Sequence, residues 1–576
     1  MDGEEKRFQG VPISAGVAIA PVRRIVSSPF LPRGGEARSA ADELALFERA
    51  FQAVIDRLGE MEKESERSIG KEKASIFGAH AMMLADPMFK GGVTELIRNG
   101  RWACDAIYEK TMEIRGLFSS LPDPYLRERA ADVDDIGRRL FREVKGEGDL
   151  DLNAPGRYIL VTDEIAPSEA ATLSPERVAG LITRAGGATS HYAIILSALE
   201  IPAVSGIDGG IFRDGANAVC DGQKGMAVLD PVPATVGHYE RKLSAFFKEK
   251  EGLKDLRDKA AMTKDGLPVE LWGNIASPDE AAGVLSQGGT GVGLFRTEYL
   301  FMNRDAPPSE EEQYLAYKSA LENMKDRPAV IRTLDAGGDK QVPYLAELVG
   351  SEANPFLGLR AIRLCLQNEP LFSTQLRALL RASSHGDLRI MLPMISDVSQ
   401  IRQVRERLEK SRLSLAEEGV VTRPYRLGIM IEIPSAAIMS SELAREADFF
   451  SVGTNDLVQY TLAVDRLNSM VSSLYEPWHP AVLRLLKMTA ESASAAGIEL
   501  GVCGEMAGDP LMLPVFIGFG FRELSMSPAK LPWIKSRLSR MTEAWAKDVA
   551  FSAAACAGAS EARHVLETSA EELMAY

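Results

Sequence analysis

The chain of 576 residues is poor in cysteine, histidine and tryptophan, with five, six and five of each. Its cysteines (Cys104, Cys220, Cys365, Cys503, Cys556) are scattered, form no CxxC pair and fall at no Cys/His metal spacing. That excludes a disulfide framework or a zinc site and leads us to expect reduced thiols in a cytoplasm. No apolar run approaches the length of a membrane span. The opening MDGEEKRFQG is acidic and polar, with no apolar stretch behind a basic start, so export is not expected. A basic arm is also missing: 66 Lys and Arg stand against 81 Asp and Glu, a net charge of −15 spread along the chain. Nucleic acid and anionic membrane are therefore poor partners, and a basic protein is a better one. What is present is an ordinary globular composition, 45% hydrophobic and 26% charged, in a chain long enough for three or four domains.

Residues 8–25 mix small and β-branched residues around glycines and predict short strands with tight turns. From about 36 to 146, apolar residues recur at three- and four-residue spacing, interrupted near Gly70, Gly100 and SLPDP. This predicts about four helices packed as a bundle. Strand-like runs return at 156–165, 178–187 and 201–207, so the helical block reads as an insertion into an α/β domain. Residues 232–262 predict one long charged helix linking two halves. From 263 onward, eight apolar strand candidates (269–276, 291–298, 329–340, 388–396, 426–434, 449–457, 499–506, 522–528) alternate with helical stretches. That pattern predicts a (β/α)8 barrel.

Active sites of such barrels lie at the C-terminal strand ends. The polar residues at those positions are Arg296 and Glu298, Arg332 and Asp335, Glu432, Asn455 and Asp456, Cys503 and Glu505, then Ser525 and Ser527. Arg466 and Arg360 lie in adjacent loops. Glu432 and Asp456 offer hard oxygen ligands for Mg2+, while forked arginines suit a phosphate or carboxylate. The alternative is that these charges simply pair with one another, above all Arg360, Glu298 and Asp335. Cys503, between glycines in GVCGEMAGDP, is by default a structural thiol. With an enol phosphate as substrate it could instead deliver a proton to carbon.

His191 follows Gly186-Gly187 and Thr189-Ser190 at the start of an apolar run. A helix N-terminus there would present free N–H groups and a positive dipole end to an anion such as a phosphoryl group. On this stretch alone, a capping role and a phosphoacceptor role both stay open.

Taken together, GGATSHYAIIL…IPAV, GVGLFRTEYLFMNRD, RTLDAGGDK, NPFLGLRAIR, IMIEIPSAA, FFSVGTNDLVQYTLAVDR, HPAV and VCGEMAGDP resemble enzyme I of the phosphoenolpyruvate-dependent sugar phosphotransferase system. They stand in that family's order and spacing along essentially the whole chain. The resemblance implies a multidomain α/β protein. Its phosphohistidine domain would span 1–25 and 147–231, and its helical insertion, 26–146, would bind the phosphocarrier HPr. A linker helix over 232–262 and a phosphoenolpyruvate-binding barrel over 263–576 would follow. It further implies that His191 takes the phosphoryl group, that Cys503 protonates the enolpyruvate released, and that the phosphohistidine domain then swings to serve the carrier. Arg296, Arg332, Arg466, Asn455 and Asp456 would bind substrate, Glu432 and Asp456 would hold Mg2+, and a homodimer would form through the barrel.

Three features bear on that expectation. The family's GGRTSH reads GGATSH, with Ala188 for arginine, and its Ala-Arg pair after the histidine is Leu196-Ser197. Arg184 is a candidate to compensate. His80, among Phe77, Met83 and Leu84, reads as a structural histidine beside an exposed-looking apolar stripe where the carrier would dock. The rival readings are a pyruvate phosphate dikinase or phosphoenolpyruvate synthase, for which no segment remains to form an ATP-binding domain, a nitrogen-regulatory paralogue, and a catalytically weak regulatory binder.

Overall fold

The computed structural model describes residues 5–25, 30–32, 39–69, 71–120, 124–147, 152–185, 191–302, 304–337, 342–345, 350, 352–466, 468 and 470–575. The chain divides into two compact units, Met1–Lys248 and Glu249–Tyr576. The division falls within a helix, Pro233–Leu256, that occupies the stretch expected to link two halves.

The first unit is built on an eight-stranded sheet. Its strands are β1 (Lys6–Gln9), β2 (Val11–Ser14), β3 (Val17–Ile25), β4 (Tyr158–Thr162), β5 (Val178–Thr183), β6 (Ala203–Ser205), β7 (Asn217–Asp221) and β8 (Met226–Leu229). Their order is β1-β8-β7-β3-β4-β5-β6-β2. β3, β4, β5 and β6 run parallel, and β4 and β5 are buried along their whole length. Covered on both faces, they read as continuous apolar runs without alternation. The turn-rich stretch after β6 forms the antiparallel pair β7 and β8.

Between β3 and β4 stand five helices, α1 (Ala40–Ile69), α2 (Lys71–Ala85), α3 (Pro87–Arg98), α4 (Ala103–Ser120) and α5 (Pro124–Lys145). The expected count was about four. The extra break is made by Asp86-Pro87: Asp86 Oδ1 accepts the Met88 N–H at 2.7 Å and Pro87 opens the next helix. A proline in mid-helix would clash with the preceding turn, so the helix restarts there instead. The apolar stripe around His80 also needs correction. Phe77, His80 and Leu84 are fully buried, and Met82 and Met88 are the neighbours that face outward. The His80 ring lies 3.5 Å from Asp132 and 3.8 Å from Asp135 on α5, so it is an interior group. Asp135 accepts from Ser168 Oγ at 2.6 Å, Ser168 accepts from Arg139 at 3.0 Å, and Arg142 pairs with Glu169 at 2.8 Å. These contacts fasten α5 to the turn that follows β4.

The second unit is a closed parallel barrel. Its strands are β9 (Glu270–Ile275), β10 (Gly291–Arg296), β11 (Pro328–Arg332), β12 (Asp387–Leu392), β13 (Arg426–Ile431), β14 (Phe449–Val452), β15 (Glu499–Val502) and β16 (Glu523–Met526), and β16 pairs with β9. Each overlaps one of the eight apolar runs, with β11 and β12 starting one residue earlier. Outward residues such as Ile331, Ile390, Ile429 and Val502 join the large core with the surrounding helices, while Trp272, Leu294, Val330, Met391, Met430, Phe449 and Cys503 form a separate inner cluster. Filling the interior with side chains makes the barrel a packed core rather than a pore.

At the N-terminal ends of the strands, Arg389 stacks over Trp272 at 4.9 Å and pairs with Glu499, which also binds Arg426. Glu523 lies buried nearby, and a Cβ on Gly501 would meet its carboxyl carbon at 2.7 Å. Burial pushes the Glu523 carboxyl from near 4.5 up to about 8, with Arg389 opposing and Glu499 and Glu270 adding to the rise. A carboxyl raised on folding favours the folded state less as it ionises, so barrel stability should fall as pH rises from about 5 to 8. Replacing Glu523→Gln should flatten that slope and raise the melting temperature at the alkaline end. Calorimetry across this range tests it, and an unchanged slope would contradict the assignment.

Candidate active site at the barrel mouth

The C-terminal strand ends gather the charged residues that the sequence singled out. Arg296 and Arg332 are the last residues of β10 and β11, and Glu432 directly follows β13. Asn455 and Asp456 occupy the first turn of the helix Thr454–Leu462 after β14. Arg466 lies beyond that helix, half-buried, and Cys503 directly follows β15.

Arg332 is the hub. Its guanidinium pairs with Glu298 at 2.7 Å and with Asp335 at 3.0 Å. Asp335 is shared with Arg360 at 2.9 Å, and Arg360 also lies 3.4 Å from Asp456. Arg360 donates to Tyr460 Oη at 3.2 Å as well. Burial alone would lower both arginine pKa values, but Glu298 and Asp335 around Arg332, and Asp335 and Asp456 around Arg360, raise them well above the ordinary range. Both cations are permanent. The reading that charges at the mouth pair with one another holds for Glu298, Asp335 and Arg360: Glu298 and Asp335 both bind Arg332, Arg360 binds Asp335, and this orients Arg332.

The backbone is shaped to deliver these groups. Gly337 takes a φ of +104°, and a Cβ there would meet Arg360 Cβ at 2.6 Å. Ala361 has a φ of 51°, and Met394 one of 57°. The Met394 N–H donates to Glu432 Oε1 at 2.6 Å. Left-handed non-glycine residues cost on the order of 1 kcal/mol or more and persist where surroundings over-determine them, most often at functional sites.

Glu432 is buried, and its carboxyl is pushed up to about 8, first by burial and then by Asp456 and Asp335, against Arg332 and Arg360. Asp456 Oδ1 is buried without a hydrogen-bond partner. Among the described residues no group of three or more His, Cys, Asp or Glu side chains is arranged for a metal. Two carboxylates crowded together, one with an unused oxygen, nevertheless fit Mg2+, which commonly takes one or two protein carboxylates and completes its shell with water and substrate phosphate.

Cys503 bridges this charged layer and the dry interior. Its thiol is pushed up to about 12 by burial, with the Ser451 hydroxyl and Arg332 pulling the other way. At neutral pH it is an S–H group. Asn455 ties the neighbouring loops, donating to Glu505 Oε1 at 3.3 Å and accepting the Glu505 N–H at 3.2 Å. Arg296 is half-buried at the rim. The Tyr475 hydroxyl is pushed up to about 12 by burial, with Arg466 opposing. The sequence reading overlooked Asn274 and Ser451, although a polar residue inside an otherwise apolar barrel strand, as in ELWGNI and FFSV, was an available signal.

In the first unit, His191 is the first residue of the helix His191–Ala198. The turn carrying Gly186, Gly187, Ala188, Thr189 and Ser190 lies outside the described residues. Leu196 is fully buried and Ser197 exposed, so only the second of this pair could show a basic group to solvent. Arg184 Nε lies 3.3 Å from Asp163 Oδ1, an exposed pairing that partly occupies the expected compensating charge.

Three family models cover most of the chain. They describe the N-terminal domain of PEP-utilising enzymes at residues 9–129, their mobile domain at 154–225 and their PEP-binding domain at 250–543. The chain is thus built on the plan of a PEP-utilising enzyme. It is 40% identical over 547 residues to the phosphoenolpyruvate-protein phosphotransferase of Listeria innocua, covering 93% of this chain and 95% of that one. The protein of the same name in Bacillus subtilis is 39% identical over 93% of this chain and 95% of its own. For that of Staphylococcus carnosus the values are 40%, 98% and 99%. The chain belongs to the phosphoenolpyruvate-protein phosphotransferase family.

Breaking the ion-pair chain should be costly, because a buried carboxylate left alone loses its compensation. Replacing Arg360→Met, which strands Asp456 and leaves Asp335 with Arg332 as its remaining cation, should destabilise the barrel by about 3–5 kcal/mol. Denaturant titration reads this out, and a loss below about 1 kcal/mol, the range of exposed pairs, would show that the chain is solvated.

Proposed function

We propose that this enzyme transfers the phosphoryl group of phosphoenolpyruvate to His191, releasing pyruvate, and passes it on to a histidine of the small phosphocarrier HPr. The observation that supports this reading most is the barrel mouth, where fixed arginines, two crowded carboxylates and a protonated thiol meet at one rim. A phosphorylated enol carboxylate needs those parts and few others.

In this reading Arg296, Arg332 and Arg466, with Asn455, hold the phosphate and carboxylate. Arg332 acts from a position its carboxylate partners have already set, so little reorganisation accompanies the transfer. Mg2+, held by Glu432 and Asp456, would supply Lewis-acid neutralisation of the phosphate. A neutral His191 imidazole nitrogen attacks phosphorus, the bridging P–O bond breaks, and enolpyruvate is left at the mouth. Cys503 then gives its proton to C3, and the carbonyl of pyruvate forms. The phosphoramidate on histidine retains a high transfer potential, which suits onward transfer.

The domain roles follow the same proposal: residues 1–25 and 147–231 carry the phosphohistidine, 26–146 dock HPr, 232–262 link the halves, and 263–576 bind phosphoenolpyruvate. Met82, 72% exposed, and Met88 give the helical segment outward apolar contacts of a kind that carrier docking uses. We place the protein in the cytoplasm as a homodimer through the barrel. No described helix is long and apolar enough to cross a membrane, and all five cysteines are free thiols.

Incubation with Mg2+ and phosphoenolpyruvate should give pyruvate and an acid-labile phosphoryl adduct, and His191→Ala should abolish both. An adduct that survives in the mutant would remove His191 from its role. Absence of adduct and pyruvate in the wild type would favour the regulatory binder, as Ala188 and Ser197 then suggest.

A further inference from the structure

Ser451 lies in the middle of β14 and opposes Gly501 of β15, while Val452 opposes Val502. In this register Ser451 projects from the same face as residue 503, and Gly501 places no side chain between them. The Cys503 N–H donates to Val452 O at 3.1 Å, fixing the thiol at the strand end. Ser451 is 1% exposed, and its Oγ is buried with no hydrogen-bond partner at ordinary distance, its polar neighbour being the Cys503 thiol that it favours in ionised form. Buried hydroxyls without a partner are uncommon and costly, which makes this one unusual.

On the other side of the barrel seam, Asn274 of β9 donates to Cys503 O at 2.9 Å and to Ser525 O at 3.4 Å. Its amide orientation is set by Ser525 Oγ, which donates to Asn274 Oδ1 at 2.6 Å. Gly504 completes the seat, since a Cβ there would strike Thr454 N at 2.7 Å. The main chain of Cys503 is therefore gripped by its neighbour β14 on one side and, across β16, by β9 on the other.

We propose that Ser451 is a positioning residue for the proton donor: its hydroxyl donates to the Cys503 sulfur as the proton leaves, while Asn274 and Ser525 hold the Cys503 main chain in place. This rests on the reading of Cys503 as the donor to enolpyruvate. In that step the S–H bond breaks, the C2–C3 π pair forms the new C3–H bond, and the enol oxygen becomes the carbonyl. A thiolate remains in an apolar surround, where a waiting O–H lowers its cost, until solvent water returns the proton. The hydroxyl's lack of another acceptor is what keeps it available.

The test follows the face from which C3 is protonated. Phosphoenolpyruvate deuterated at the Z position of C3 is turned over in tritiated water, and the configuration of the resulting pyruvate methyl is read beside the rate of phosphohistidine formation. Wild type should give one configuration. Ser451→Ala should slow protonation by about tenfold, the weight of one hydrogen bond to a charged group, and lose configuration, because enolpyruvate escapes and is protonated in solution. Phosphohistidine formation should suffer less, and Ser451→Thr should restore the single configuration. A Ser451→Ala protein with full configuration and rate, or one in which both half-steps fall together, would overturn the proposal. Wild-type configuration in Cys503→Ser would instead remove the donor reading on which it rests.

Discussion

The chain of buried ion pairs from Glu298 through Arg332, Asp335 and Arg360 to Asp456 is the constraint on which the barrel mouth depends. A charge taken out of water must be matched by partners of good geometry or it neutralises. Here the matching is done by residues from different strand ends, so the loops after β10, β11 and β14 cannot adopt independent conformations. The same contacts that make burial tolerable also aim Arg332. The left-handed backbone at Ala361 and Met394 belongs to this arrangement, because one opens the helix that follows Arg360 and the other binds Glu432.

The pairing leaves a deliberate remainder. Positive charge at Arg332 and Arg360 does not cancel the carboxylates completely, since Glu432 is still pushed up to about 8 by burial and by Asp456 and Asp335, and Asp456 keeps an unused buried oxygen. A mouth that were electrostatically complete in itself would have nothing to offer a cation or a polyanion. Structural pairing and binding chemistry are thus two parts of one charge balance.

Much of this was legible in the sequence. The barrel strands announced themselves because each is an apolar run ending in a polar residue, and IMIEIP and FFSVGTNDL put Glu432, Asn455 and Asp456 where the fold later needs them. Residues whose meaning lies in a distant partner were not legible. Pairing of Arg360 with Asp335 was one of two open readings, but its reach to Asp456 after another strand was not legible, since nothing local distinguishes a buried guanidinium from a surface one. The stripe around His80, though not His80 itself, misleads for the same reason: a methionine-rich helix looks the same whether its stripe faces solvent or, as with Phe77 and Leu84, the bundle interior. The break at Asp86-Pro87 is written in capping chemistry, an aspartate cap followed by proline at the first helical position.

The position of Cys503 shows why the two layers of the barrel need each other. Below it lie Trp272, Phe449 and the other inner side chains, which keep the thiol dry and push it up to about 12. Above it stand the arginines and carboxylates. If Cys503 is the donor proposed above, a thiol in the charged layer would ionise more readily and cease to be a proton source, whereas one deeper in the apolar layer would never reach a substrate at the mouth. In the proposed transfer, a sulfur at the boundary between the layers stays protonated until an enol arrives and is still supported once its proton is gone. Ser451 and Asn274 are the polar residues that the apolar strands place at that boundary.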